Sequence, residues 1–179
     1  GFILSASTLG ILIIISLYHL LLYLQRREDP LPAYFAGFCL SFAMREAVMS
    51  GFFEYLGLRN MWTSYEFLVT LEYLSMPLLG SFAGLFIERL VSVGWFVTFL
   101  RYWIGIFGIG LMIATISAPL VEFSKYLVVY QVFLFGGICV GFLHLAIAVF
   151  KKSPFAASVL LAFCVLAAGG INDILYARR

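Results

Sequence analysis

The sequence predicts an all-α fold, a polytopic transmembrane bundle with six helices of an expected seven, and three observations carry that reading. The 179 residues are 64% hydrophobic and 11% charged, with a mean hydropathy of +1.07. A soluble domain is about 45–50% apolar and about 25% charged, so these charges are too few to coat a water-facing surface and lipid is the expected solvent. Six apolar runs each approach or exceed the about 20 residues that a spanning helix needs. Charged clusters and prolines fall between the runs.

The first helix is expected over 2–24, ended by "QRREDP". Gly1 opens straight into an apolar run of about 22 residues, longer than the about 7–15 of a signal peptide's apolar core. The expectation is a true spanning helix in a chain that continues before Gly1. The second helix is expected over 31–54 and the third over 61–87, ended by "ERL". The fourth covers 95–118, ended by "SAPLVEFSK", the fifth 126–150, ended by "KKSP", and the sixth 154–176. Pro30, Pro32, Pro119 and Pro154 stand at joints, where a missing N–H does least harm. Pro77 stands inside the third helix and is expected to kink it. The loops are too short for a second domain, and no repeat of the transporter kind is visible.

Lys and Arg set the orientation. With the N-terminus outside, the inner side holds six: Arg26, Arg27, Arg89, Arg101, Lys151 and Lys152. The outer side holds four: Arg59, Lys125, Arg178 and Arg179. The bias favours the N-terminus outside, and six spans then return the C-terminus to the outside, so a seventh helix is expected after Arg179. Tyr23, Tyr55, Trp62, Trp95, Trp103, Tyr126 and Tyr176 lie near run ends, as interfacial aromatics do.

An ionisable side chain at the bilayer centre costs about 2.5–3.5 kcal/mol on insertion scales, so several in one bundle need partners. At about 1.5 Å per residue, Arg45 and Glu46 fall in the outer third of the second helix. Glu66 falls in the outer third of the third helix, Glu72 near its midplane, and Asn172 and Asp173 near the outer end of the sixth. Arg45 is the one embedded cation among four carboxylates at overlapping heights. It either pairs with Glu66 or Asp173 and fixes packing, or belongs to an outward-open polar pocket that a ligand perturbs; a proton or ion path is the third reading. Arg45, Glu46, Glu66, Glu72, Asn172 and Asp173 are therefore the candidate ligand-binding or coupling residues.

Gly80 and Gly84 in the third helix, and Gly137 and Gly141 in the fifth, have the small-xxx-small spacing that lets backbones approach in lipid. With Pro77 they are the candidate packing or hinge positions. His19 and His144 lie on different helices without HxxxH or HExxH, and Cys39, Cys139 and Cys164 lack any ligand spacing, so no metal and no cofactor is expected. There is no GxSxG, Walker loop or histidine box, so no catalytic residue and no enzyme activity is expected within the chain. The net charge of +2, with no basic run interleaved with aromatics, argues against a nucleic-acid partner.

Three stretches carry a family resemblance. "LYHLLLYLQRREDPLPAYFAGFCLSFAMREAVMSG", "LEYLSMPLLGSFAGLFIE" and "GGINDILY" resemble, in order, the first two helices, the third, and the end of the sixth in the bacterial seven-transmembrane receptors with diverse intracellular signalling modules (7TMR-DISM). The resemblance implies an inner (plasma) membrane location, the N-terminus outside and a seventh helix. It also implies an ectodomain before the bundle and a covalently linked or associated cytoplasmic effector after it, of histidine kinase or nucleotide cyclase type. Such effectors usually work in pairs, which implies a homodimer. The expected function is a non-catalytic sensor module; a small ion or solute transporter using the embedded carboxylates is the alternative.

Overall fold

The structure, a computed structural model, describes residues 2–55, 65–91, 94–153 and 155–176; for residues 2, 54, 55, 95, 120, 166, 167 and 169–176 it describes the backbone alone. It is helical throughout, with no strand among the described residues. Helix α1 spans Phe2–Gln25, α2 Leu31–Met49, a short α3 Phe52–Tyr55 and α4 Tyr65–Leu90. Then come α5 (Gly94–Tyr102), a π-helical segment (Trp103–Gly108) and α6 (Ile109–Ser117), which run on as one span. A short α7 (Leu120–Phe123) and a 3-10 turn (Ser124–Tyr126) lead into α8 (Leu127–Phe150), and α9 is Ala156–Tyr176. Six long spans result among the described residues.

Among the described residues, four spans are long and apolar enough to cross a membrane: Ile3–Gln25, Tyr65–Leu90, Phe96–Ser117 and Val121–Phe150. Helix α2 is less apolar because it carries Arg45 and Glu46. It can be, because it packs between α1 and α4, where neighbouring helices replace much of the lipid. Outward-facing Ile3, Ile14, Ile116, Phe150 and Leu161 present the opposite surface. In water such a surface would aggregate; in lipid it is solvated.

Helix α4 is the hub: it packs against α2, the α5–π–α6 span, α7 and α8, while α9 packs on α8. Two ends can be told apart. At the basic end, α1 meets α2, α4 meets α5 and α8 meets α9. Ile87, Val91, Leu145, Ala148 and Ala156 form a buried cluster there, and Arg89 Nε lies 3.5 Å from Asp29 Oδ1. At the opposite end, Tyr73, Met76, Phe123 and Tyr130 form a second cluster.

The elements differ from the sequence reading in four places, each for a local reason. The third helix runs through "ERL" to Leu90, because Glu88 and Arg89 are paired with Arg101 and Asp29. The second helix stops at Met49, because Gly51 takes φ 68°, the left-handed turn that ends helices, and α3 starts afresh at Phe52. The fourth widens into the π segment at its centre. The fifth is preceded by the α7 turn that Pro119 opens. Arg59, Trp62, Pro154, Arg178, Arg179 and the expected helix start at 61 lie outside the described residues.

Candidate functional site

Arg45 sits in the last turn and a half of α2 and is half-buried, as is Glu46. Its Nη1 is buried without a hydrogen-bond partner. The expected pairing with Glu66 is not formed: the ion pairs among the described residues are Arg89–Asp29 and Arg101–Glu88. The physical reason is the placement of Glu66, exposed in the first turn of α4. Glu72 lies deeper and is half-buried, and its backbone carbonyl accepts the Ser75 hydroxyl. Arg45, Glu46, Glu66 and Glu72 thus occupy two helices that pack along one another. Asn172 and Asp173 lie on α9, with side chains outside the described residues, as is the expected Arg45–Asp173 pair. A guanidinium with an unused buried N–H carries an unspent capacity for an anion or acceptor.

Deeper in the same half, phenols bind four elements together. The Tyr130 and Thr115 hydroxyls are 2.7 Å apart, and Thr115 donates to the Leu111 carbonyl at 2.7 Å. With that proton committed, Tyr130 donates to Thr115. Tyr73 stands edge-on to both Tyr130 and Phe123, with ring centroids at 5.1 and 5.2 Å, and its hydroxyl donates to the Ser124 carbonyl at 3.4 Å. Tyr130 and Thr115 are almost fully buried. In hydrocarbon such polar groups are retained only where each finds a partner, and these hydrogen-bonded pairs, joined by the Tyr73–Tyr130 ring contact, tie α4, α6, α8 and the 3-10 turn after α7.

At mid-height the π segment faces α4 and α8. Trp103, expected at an interface, is instead packed inside: its ring is near-parallel to that of Phe133 at 6.0 Å, and its Nε1 is buried without a partner. A Cβ on Gly108 would lie 2.5 Å from Ser81 Oγ, itself buried and unpartnered. Of the candidate glycines, Gly80 abuts Phe133 of α8, Gly84 abuts Leu100 and Ile104 of the neighbouring span, and Gly141 abuts Phe163 of α9. Gly137 meets nothing within 4 Å among the described residues. Pro77 is fully buried inside α4.

The basic end is latched by His144. Its ring Nε2 is 2.6 Å from the Val91 carbonyl, just past α4, and its ring stacks on Phe96 of α5 at 3.7 Å and 16°. An acceptor carbonyl assigns the proton to Nε2. His19 keeps to its own helix, 2.9 Å from the Ile15 carbonyl, so the two histidines share no site. No group of three metal-ligating side chains exists among the described residues.

Sequence reasoning missed the Tyr73–Tyr130–Thr115 network and the His144 latch. The available signal was two phenols and an imidazole on otherwise apolar runs, each needing a partner. Which partner depends on helix rotation, and rotation is not written in a run that is apolar on every face. A family model described as "7TM diverse intracellular signalling" matches residues 2–178. No curated protein and no solved structure matches the chain.

Proposed function

The chain belongs to the 7TM diverse intracellular signalling family, a transmembrane sensor module linked to signalling, and from that premise we propose that it relays an event outside the membrane to a cytoplasmic effector by shifting helices against α4. The effector is of histidine kinase or nucleotide cyclase type, the module does no chemistry itself, and it works as a homodimer. It lies in the bacterial inner membrane with its N-terminus, α3 and α7 outside. The basic end then faces the cytoplasm, as the distribution of Lys and Arg favours.

The single observation that carries this reading is the position of α4. It touches every other span but α1 and α9 extensively and meets the embedded polar groups at one end and the His144 latch at the other. A relay needs two packings of similar energy and an input that prefers one. Pro77, Gly80 and Gly84 supply the first requirement, since a missing hydrogen bond and two side-chain-free faces lower the cost of a second register. Arg45 supplies the second, with Glu46, Glu66, Glu72, Asn172 and Asp173 as candidate neighbours of the incoming ligand or partner.

The test is output from the full-length protein carrying Arg45→Ala, normalised to protein level. A coupling of the usual about 1–3 kcal/mol corresponds to an about 5- to 150-fold change in basal output or response. Parental output from a folded Arg45→Ala protein removes Arg45 from the relay.

A further inference from the structure

Between the start of α2, the end of α4 and α5, a cleft of about 490 Å³ is lined by Pro30, Tyr34, Leu85, Glu88, Arg89 and Arg101, with Val97 beside them. The acids that hold its two arginines are already committed. Asp29, next to the lining residue Pro30, accepts the Leu31 N–H on Oδ1 at 3.2 Å and faces Arg89 Nε at 3.5 Å. Glu88 Oε1 takes both Nε and Nη2 of Arg101, at 3.1 and 3.0 Å. The carboxylate of that pair is the interior partner, 12% exposed against 71% for the arginine. Glu88 therefore anchors Arg101, and the guanidinium reaches outwards. Both terminal nitrogens of Arg89 and Nη1 of Arg101 have no hydrogen-bond partner among the described residues.

We infer that this cleft binds the phosphate headgroup of an anionic phospholipid. Two arginines held by acids at their Nε edges leave their outer N–H groups turned to one space, and a guanidinium fork matches phosphate oxygens two at a time. Tyr34 on α2 adds a hydroxyl to the same lining. Leu85 and Val97 add apolar wall to the same lining, suited to the start of an acyl chain. The cleft opens at the level where the spans end and headgroups lie, and basic pockets between helices at that level are suited to anionic lipids. Arg26, Arg27, Lys151 and Lys152 at the same end raise the local concentration of anionic headgroups without lining the cleft. A lipid seated there would touch α2, α4 and α5 together. This inference does not depend on the signalling reading, because lipid binding can be measured without any output.

The test is native mass spectrometry of the purified protein in mixed micelles, titrated with phosphatidylglycerol, with phosphatidylcholine, and with inorganic phosphate as competitor. The expected result is one phosphatidylglycerol retained per chain in preference to phosphatidylcholine. Arg89→Gln/Arg101→Gln should lower that retention about 25-fold, at about fivefold per arginine. Lys151→Gln/Lys152→Gln should lower it less. Arg89→Lys/Arg101→Lys, which keeps the charge and loses the fork, should still lose several-fold. Equal loss from the cleft pair and the lysine pair, no preference over phosphatidylcholine, or displacement by millimolar phosphate would each overturn the inference, the last by pointing to a soluble anion. If Arg89→Gln/Arg101→Gln does not fold, unchanged retention in Arg89→Lys/Arg101→Lys overturns it.

Discussion

A Cβ added at Gly80 would stand 2.7 Å from the Phe133 ring, and one at Gly37 would stand 2.6 Å from Phe82. Phe133 cannot swing away, since it is 3% exposed and flanked by Trp103. Gly80→Ala should therefore destabilise by about 1–3 kcal/mol, the usual cost of overpacking. Gly110→Ala, where nothing lies within 4 Å, should be neutral or gain the about 0.5–1 kcal/mol of helix propensity. Thermal unfolding of the two variants in the same detergent checks this pair, and equal midpoints would refute the close contact. His144 offers a sharper test. His144→Phe keeps the stack on Phe96 but leaves the Val91 carbonyl without its donor, at a cost of about 1–3 kcal/mol. His144→Ala also opens a cavity and should cost more. A His144→Phe protein as stable as the parent would mean that the 2.6 Å contact contributes nothing.

Helix existence was legible because lipid demands about 20 apolar residues per span and the joints carry "QRREDP" and "KKSP". The breaks within spans were not. Gly51 closes α2 early through one left-handed residue, and hydropathy is blind to φ. The π segment Trp103–Gly108 was equally invisible, since its apolar composition suits an α-helix as well. A π turn spaces its hydrogen bonds one residue wider than an α turn, so it re-aims everything after it. Here that re-aiming puts Gly108 against Ser81 and Thr115 against Tyr130. Deleting Gly105, whose surroundings are open, should remove the extra residue that the π turn accommodates and close the span into continuous α-helix with α6 facing as it does now. The Thr115–Tyr130 bond should then survive and the unfolding midpoint stay near the parent's, whereas Thr115→Val, which removes the bond, should lower it. A Gly105 deletion that unfolds as early as Thr115→Val would show that the register of α6 is not set by the π segment.

At the scale of the whole molecule, charge placement gives an orientation that labelling can check. In a background with Cys39, Cys139 and Cys164 replaced by alanine, Lys125→Cys should react with a membrane-impermeant maleimide added to intact cells. Lys151→Cys should react only after lysis; the reverse pattern would invert the topology. The candidate site was half legible. Depth along each helix follows from counting residues, and it placed Arg45, Glu46, Glu66 and Glu72 on two helices that do pack together. Pairing depends on rotation as well as depth, so the Arg45–Glu66 contact drawn from height alone does not form. The consequence is a guanidinium with a buried N–H left without a partner, able to respond to an incoming acceptor. The most direct measurement is effector output per molecule in full-length protein carrying Arg45→Ala beside Arg45→Lys. The account predicts a shift of about fivefold or more for alanine and a smaller one for lysine. Folded variants whose output equals the parent's would contradict it.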